Sequence, residues 1–232
     1  MLWWGNDNDV YFVSFADSKY KATLERIKNE ANIFKHVFTY DENTCDISKN
    51  KKFIEENSKR GYGYWIWKPQ IIRDTLEKIP DGSYLVYADA GCTIQKNAIF
   101  KVNDILSKID EKGLVAFKWR KNEPECMWSK MDTIQKIYPE AVDDERPSLI
   151  ATYIYFKKNE NSLKFVNEWL TLCESDNYHH IDDSPSNEPN CDLFIEHRHD
   201  QSIFSLLCHK YGVKILDEGF FPPPISHSRR KF

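Results

Sequence analysis

The chain has 232 residues, of which 41% are hydrophobic and 29% are charged, and its formal net charge at pH 7 is −4. This length is sufficient for one large core, and the composition is ordinary for a globular domain. A mildly acidic chain lacks the concentrated positive charge that nucleic-acid phosphates require, which excludes nucleic acid as the main partner. We also expect no transmembrane segment, because no apolar run approaches the length that spans a bilayer.

The cysteines and the amino-terminal residues predict the compartment. Six cysteines lie far apart, without the spacing of a zinc knuckle, which is typical of reduced cytosolic thiols. The first residues become acidic too soon for a signal peptide. We find no internal repeat, low-complexity tract or linker. The sequence therefore predicts one domain over residues 1–232, located in the cytoplasm.

Strands and helices are predicted to alternate in the first half of the chain. Val10–Asp17 has the pattern of a buried strand, and Ser18 can cap the helix that follows it. His36–Tyr40 predicts a second strand, and a short helix is expected near Phe53. Pro69 occupies the first turn of a longer helix, since proline is favoured where no amide hydrogen bond is needed.

A single carboxylate follows the third predicted strand. The turn at 80–82 precedes an apolar strand that ends at Asp89, with only Ala90 and Gly91 beside it. The carboxyl end of a buried strand is a typical place for a metal or a nucleotide-linked ligand. Lys68 lies at the amino end of the preceding helix, where a cation opposes the helix dipole, so we expect a phosphate or an acidic partner such as Asp89.

The second half of the chain continues the alternation. A helix from 102 to 109 is expected to stop before Gly113, and Leu114–Phe117 and Leu149–Phe156 have strand composition. The polar segment 118–147 between these strands contains three prolines, which is typical of a variable insertion. A helix is expected from 163 to 173, followed by a long loop from 174 to 190. This order of elements predicts a doubly wound, mostly parallel α/β sheet.

Histidines and acids cluster between positions 179 and 200, and three interpretations of this region remain open. Asp200 can simply cap the helix that carries Ile203 and Phe204, or its charge can act on a substrate. The cluster also offers Zn²⁺ or Fe²⁺ ligands, which would suit a metal-dependent hydrolase; these are His179, His180, Asp182, Asp183, His197, His199 and Asp200. Alternatively, tryptophans at 65, 67, 119 and 128 would suit a non-catalytic carbohydrate-binding module.

Three motifs, in their order along the chain, resemble a known family. Gly-Tyr-Gly-Tyr-Trp-Ile-Trp-Lys-Pro at 61–69, Tyr-Ala-Asp-Ala-Gly-Cys at 87–92 and His-Asp-Gln-Ser-Ile-Phe at 199–204 resemble small nucleotide-sugar glycosyltransferases of the GT-A type. They are similar to glycosyltransferase-like proteins of bacterial polysaccharide loci and large DNA viruses. The resemblance implies a Rossmann-like α/β fold with a mostly parallel central sheet flanked by helices. It also implies transfer of a hexose or pentose from a UDP- or GDP-sugar to a hydroxyl of a glycan or glycolipid.

The resemblance implies a role for each site residue. Asp200 would be catalytic, with Glu196 in reserve, and segment 118–147 would help bind the acceptor together with Trp67, Trp119 and Trp128. Asp89 and His227 would hold Mn²⁺ or Mg²⁺, although Gly91 replaces the second acid of the family's Asp-any-Asp motif, and one carboxylate is a poor site for such a cation. The donor would contact Ser14, Phe15, Ala16, Asp17, Lys68, Asp89, Ala90, Gly91, Gln201, Arg229 and Lys231.

Overall fold

A computed structural model describes residues 9–118, 123–143, 145–217 and 223–227. The strands within them are β1 (Val10–Phe15), β2 (His36–Tyr40), β3 (Tyr84–Ala88), β4 (Thr93–Ile94), β5 (Leu114–Phe117), β6 (Tyr153–Lys157), β7 (Lys214–Leu216) and β8 (Ile225–Ser226). Six of these strands form one sheet in the order β2-β1-β3-β6-β5-β7, and the two short strands β4 and β8 pair separately.

The strand directions determine which chain segments meet at one edge. β1 is parallel to both β2 and β3, and β5 is parallel to β7, which confirms the mostly parallel sheet. β6 differs, because it is antiparallel to β3 and β5. An apolar strand pattern carries no information on direction, so the sequence could not reveal this reversal. As a result, Thr152 before β6 lies beside Asp89 after β3, and the Asp89 amide donates to the Thr152 carbonyl at 2.8 Å.

Helices cover both faces of the sheet. The α-helices in the described residues are α1 (Lys21–Glu30), α2 (Lys51–Glu56), α3 (Gly61–Tyr64), α4 (Trp67–Lys78), α5 (Ile99–Leu106), α6 (Met131–Ile137), α7 (Glu160–Tyr178) and α8 (Asp200–Tyr211). Phe12 and Val86 point to the face covered by α1 and α5, whereas Val13 and Leu85 point to the face covered by α4, α7 and α8. All four side chains are fully buried, as expected for strands that alternate between two helical layers.

Three local details differ from the expectations. Asp17, not Ser18, caps the short 3₁₀ turn after β1, because its Oδ1 accepts from the Lys19 amide at 3.0 Å. The polar segment 118–147 contains α6, whose buried Ile134 packs into the core with the residues of α8. The helix predicted to stop at 173 runs on to Tyr178 through a kink at 175–177.

All six cysteines are free thiols in the structure. None of the helices in the described part of the chain combines the length and the apolar character needed to cross a membrane.

α3 is a left-handed turn. Five consecutive residues, Gly61 to Trp65, have positive φ, although three of them are aromatic. Left-handed backbone costs an ordinary residue roughly 1–2 kcal/mol, so tertiary contacts must hold it. The Trp67 indole N–H donates to the Gly61 carbonyl at 3.0 Å. Gly63 packs against Ile54 so closely that a Cβ would lie 2.7 Å from Ile54 Cγ1 and 3.0 Å from its Cα.

We expect Gly63→Ala to lower the free energy of unfolding by about 3 kcal/mol, since it adds overpacking to left-handed strain. Gly212→Ala is the matched control, because Gly212 also has positive φ but a Cβ there would meet nothing within 4 Å. That control should cost about 1 kcal/mol. Urea unfolding of both variants measures the difference, and equal losses would show that the Ile54 contact is unimportant.

A second buried feature is the carboxyl of Glu125. It is fully buried and pairs with no cation of the described residues, and it accepts hydrogen bonds from the hydroxyls of Ser129, at 2.5 Å, and Ser205. Burial raises the pKa of Glu125 to about 7, despite the opposing effect of these hydroxyls. The group is therefore protonated in the folded chain at mildly acid pH.

This pKa predicts a stability that falls with rising pH. Between pH 4.5 and about 7 the unfolded chain has lost the Glu125 proton while the folded chain retains it, so stability declines across this window. The total decline is about 3 kcal/mol at 1.36 kcal/mol per pKa unit. Glu125→Gln should remove that slope and be more stable than wild type at pH 8. Urea unfolding at pH 5, 6.5 and 8 checks this, and parallel curves for the two proteins would refute it.

Candidate active site

A cleft of about 720 Å³ opens at the edge where β1 and β3 end and β6 begins. The walls come from the residues after these strands, the segment around α3, the amino end of α8 and the residue after β8. The predicted site residues that line the cleft are Phe15, Ala16, Asp17, Trp67, Lys68, Asp89, Ala90, Gly91, Glu196, Asp200, Gln201 and His227. The structure therefore brings together positions that are far apart in sequence.

A buried lysine joins the two central carboxylates. The ammonium Nζ of Lys68 lies 2.5 Å from Asp200 Oδ2 and 3.4 Å from Asp89 Oδ1, and it donates to the Ala151 carbonyl at 3.2 Å. The Lys68 side chain is 3% exposed, so these three groups replace its hydration. This is the acidic partner that the sequence allowed as one of two explanations. The Lys68 ammonium already contacts these three groups, so the structure shows the acidic partners and not a lysine available for phosphate.

The charges in this triad influence one another. Burial lowers the pKa of Lys68, but the Asp200 and Asp89 carboxylates outweigh it and bring the pKa above its ordinary value. Burial raises the pKa of Asp200 to about 6, although Lys68 acts in the opposite direction. Asp200 thus changes protonation close to neutral pH, a property of carboxylates that exchange protons with a substrate.

Asp89 is fixed by its surroundings. The Tyr87 hydroxyl donates to Asp89 Oδ1 at 2.5 Å, and Tyr87 is itself fully buried in the sheet. The guanidinium of Arg26, on α1, donates to the carbonyls of Ala90 and Cys92 at 2.7 Å each. The segment after β3 is therefore tied to both the sheet and a helix, which positions the carboxylate rigidly.

Asp200 is positioned by the strained residue before it. His199 has φ 54° and ψ −123°, a combination that non-glycine residues rarely adopt. Its ring Nδ1–H donates to the Ile181 carbonyl at 2.9 Å, and its Nε2 accepts from Arg60 Nε at 3.2 Å. Burial lowers the pKa of His199, which favours this neutral tautomer. The His199 ring thus holds the chain where α8 begins and directs the Asp200 carboxylate towards Lys68. The Asp200 side chain does not serve as the predicted helix cap, because His199 occupies the cap position of α8.

Two predicted residues do not reach the cleft. Ser14 is fully buried, and its hydroxyl donates to the Ala88 carbonyl at 2.7 Å, so it joins β1 to β3 instead of contacting a donor. Trp128 is 5% exposed and is covered by the Arg198 guanidinium, 4.1 Å from its ring centre. The pattern of a strand does not reveal which residue is the last one covered. The predictions for Trp119, Arg229 and Lys231 lie outside the described residues.

Sequence reasoning missed several residues of the site. Lys59 and Arg60 line the cleft and directly precede the aromatic motif at 61–69. Their position beside this motif could have identified them as site residues. Lys19 also lines it, one turn after β1. Tyr87 and Arg26 act from outside the cleft on Asp89 and the residues after it, and no sequence pattern distinguishes them from ordinary core and surface residues.

The residues predicted to hold a divalent cation lie near one another but do not fit one. The β4–β8 pairing brings His227 to the cleft, beside the residues that follow Asp89. Asp89 supplies one carboxylate, whose Oδ1 already accepts from Tyr87 and lies 3.4 Å from the Lys68 ammonium. Gly91 has no side-chain ligand, and Mn²⁺ or Mg²⁺ requires several oxygens. The donor set is therefore insufficient for a resident cation.

The histidine-rich region does not bring a cluster of metal ligands to the cleft in the described part of the chain. Among the described residues, one group has metal-ligating atoms close together, and it consists of Asp132, His179 and His180, outside the cleft. Both His197 and His199 bond to backbone carbonyls of the 180–181 segment. These two histidines hold the backbone of the 180–181 segment in place and do not converge on a metal site, so the hydrolase interpretation is not favoured.

Comparisons with known proteins find similar folds among solved structures. No protein-family model matches the sequence, and no curated protein matches it. The fold matches the WbbM bifunctional glycosyltransferase with a TM-score of 0.50 and 12% identity, over 93% of this chain and 40% of that one. It matches a glycosyltransferase involved in glycosylation of the major capsid of PBCV-1 with a TM-score of 0.50 and 10% identity, over 90% and 81% of the two chains.

The chain has the GT-A glycosyltransferase fold. The chain spans less than half the length of WbbM, so the likeness concerns this fold and not the whole of that protein. In the GT-A fold seen here, the cleft lies at the edge where β1 and β3 end, the place where open α/β sheets bind ligands.

Proposed function

We propose that residues 1–232 form one glycosyltransferase domain that moves a hexose or pentose from a UDP- or GDP-sugar to a hydroxyl of a glycan or glycolipid. The single observation that carries this proposal is the buried Lys68 ammonium, which holds Asp89 and Asp200 at the cleft of a GT-A fold. We place this reaction in polysaccharide synthesis in the cytoplasm. The fold gives the reaction class, and the cleft gives the residues.

The donor fits the half of the cleft next to β1. Phe15 and Trp67 stack with their ring centres 4.0 Å apart, and with Asp17 they form a wall suited to a base and a ribose. We therefore assign Trp67 to the donor and not, as the sequence predicted, to the acceptor. Lys19, Lys59 and Arg60 line the same cleft and place positive charge where a diphosphate would bind. Charge neutralisation by these side chains suits a site that has no resident cation.

Transfer breaks the bond between the anomeric carbon and the diphosphate, whose oxygen leaves with the electron pair, while the acceptor oxygen bonds to that carbon and loses its proton. Asp200 is proposed to be the catalytic carboxylate, which accepts this proton or stabilises the positive charge that develops on the sugar. Lys68 positions it. Glu196 is the second candidate, because its side chain is 47% exposed at the cleft and pairs with Arg198 at 3.1 Å.

A ligand screen tests this function. We expect UDP, GDP or one of their sugars to raise the melting temperature, since a ligand that binds only the folded state stabilises it. The same sugar should release its nucleoside diphosphate on incubation, and EDTA should leave nucleotide binding intact. Stabilisation by free glycans without any nucleotide would instead indicate the binding module. Stoichiometric Zn²⁺ that is lost in a His179→Ala variant together with activity would indicate the hydrolase.

A further inference from the structure

A second cavity of about 600 Å³ opens beside the cleft, and Glu196 and His197 border both. Its other walls are the loop from Asp183 to Asn190, together with Lys130 and Phe194. A molecule in this cavity would therefore lie next to a carboxylate that also faces the proposed donor.

The loop that forms this cavity is held in shape by Asp132. Oδ2 of Asp132 accepts from the Asn187 amide at 2.8 Å and lies 2.6 Å from His179 Nε2, and the Met131 amide donates to Asn190 Oδ1 at 2.9 Å. Burial raises the pKa of Asp132, but the hydrogen bonds from Asn187 and His179 outweigh it and lower the pKa to about 2. The anchor is thus charged at all ordinary pH values, and the cavity wall is preorganised for a ligand.

The lining has the chemistry of a carbohydrate site. Ser184, Ser186, Asn187 and Asn190 bring hydroxyls and amides, which both donate to and accept from sugar hydroxyls. Phe194 adds an aromatic surface suited to the apolar face of a sugar ring. A few polar groups beside one apolar surface are typical of small-ligand sites.

The cavity is more acidic than the cleft. Its carboxylates are Asp183, Glu188 and Glu196, whereas Lys130, the lysine on its wall in the described residues, is 3% exposed and donates to the Ser184 carbonyl at 3.1 Å. Arg60 lies 3.8 Å from Asp183 and Arg198 lies 3.1 Å from Glu196, yet both arginines line the cleft and not the cavity. The cleft therefore has five basic side chains beside its four carboxylates, whereas the described wall of the cavity has three carboxylates and one lysine.

We propose that this second cavity is the acceptor subsite and that its carboxylates select a sugar without negative charge. The inference rests on the transferase function proposed above and adds to it the class of acceptor. A uronic acid or a sugar phosphate in the cavity would meet Asp183 and Glu188 with no free cation on the wall of the described residues to compensate. Specificity thus arises from repulsion as well as from hydrogen bonding.

The test compares acceptors with and without a carboxylate. A panel of p-nitrophenyl glucoside, galactoside, mannoside and xyloside is measured beside p-nitrophenyl glucuronide and galacturonide, with the donor that the ligand screen selects. We expect kcat/KM to be at least tenfold higher for the best neutral glycoside. Glu188→Lys should narrow this preference about tenfold, and Phe194→Ala should raise KM for the acceptor about tenfold.

Glu140→Lys is the matched control, because Glu140 is exposed and lines neither cavity, and it should keep the wild-type preference. A wild-type preference for the uronides, or equal behaviour of Glu188→Lys and Glu140→Lys, would overturn the acceptor subsite while donor hydrolysis still supports the transferase. Failure to turn over any nucleotide sugar, even with water, would overturn the transferase and this inference with it.

Discussion

Asp200→Asn is expected to reduce turnover about a hundredfold or more and to leave nucleotide binding within a few-fold of wild type. Asparagine has nearly the same shape, and the Asp200 side chain does not cap α8, so the change removes mainly the charge. If that charge accepts the acceptor proton or stabilises the reacting sugar, its loss has the magnitude of a missing general base or electrostatic partner. Steady-state kinetics with the selected nucleotide sugar measures kcat, and calorimetric titration of the nucleoside diphosphate measures binding.

The pH profile provides a second readout for Asp200. Its carboxylate must be ionised to act, and burial raises its pKa to about 6, so kcat should fall as pH decreases through about 6. The residual activity of Asp200→Asn should lack this acid limb. Asp104→Asn is the matched control, since Asp104 is exposed on α5 and pairs with Lys108. Activity of Asp200→Asn within a few-fold of wild type would refute the assignment, and Glu196→Gln would then be tested in the same way.

Lys68→Met is expected to have the largest effect on stability. Methionine has a similar length but no charge, so two carboxylates at the cleft would lose their common partner, and Asp200 is almost entirely buried. Breaking a buried ion pair by removal of one partner costs about 3–5 kcal/mol. Urea unfolding of Lys68→Met at pH 7 measures this loss against wild type.

A double variant separates the ion pair from simple packing. In Lys68→Met/Asp200→Asn no unpaired charge remains at position 200, so the combined loss should be smaller than the sum of the two single losses by about 1–3 kcal/mol. If Lys68→Met alone fails to fold, the double variant should still fold, so its free energy of unfolding can be measured. Additive losses, within about 0.5 kcal/mol, would show that the two groups act independently in the folded chain.

The sequence was most informative where local pattern alone decides structure. β2 has the predicted bounds, and β3 lies within the apolar run predicted between the turn at 80–82 and Asp89, because a short apolar run between turn residues leaves little choice. The direction of β6 was not predictable, since pairing depends on contacts between distant segments. The left-handed turn at 61–65 was hidden for a similar reason: propensity disfavours it, and the contacts of Gly63 with Ile54 and of Trp67 with Gly61 stabilise it.

For the site, sequence order predicted which residues share one edge but not how they interact. Asp89 and Lys68 were expected near one another, yet a sequence does not show that Lys68 also reaches Asp200, 132 positions later. Ser14 and Trp128 show a second limit of the sequence, because it predicted ligand contacts that the structure does not allow. Both have side chains suited to a ligand, and both are used within the core, because burial depends on neighbours that the local pattern does not contain.

A crystal structure grown with the nucleoside diphosphate selected by the ligand screen tests the central claim most directly. The account predicts that the nucleotide occupies the cleft between the end of β1 and Asp89, with its diphosphate near Lys59 and Arg60 and with Lys68 still paired to Asp200. A nucleotide bound at the opposite edge of the sheet, or a Lys68 that leaves Asp200 to bind phosphate, would contradict it.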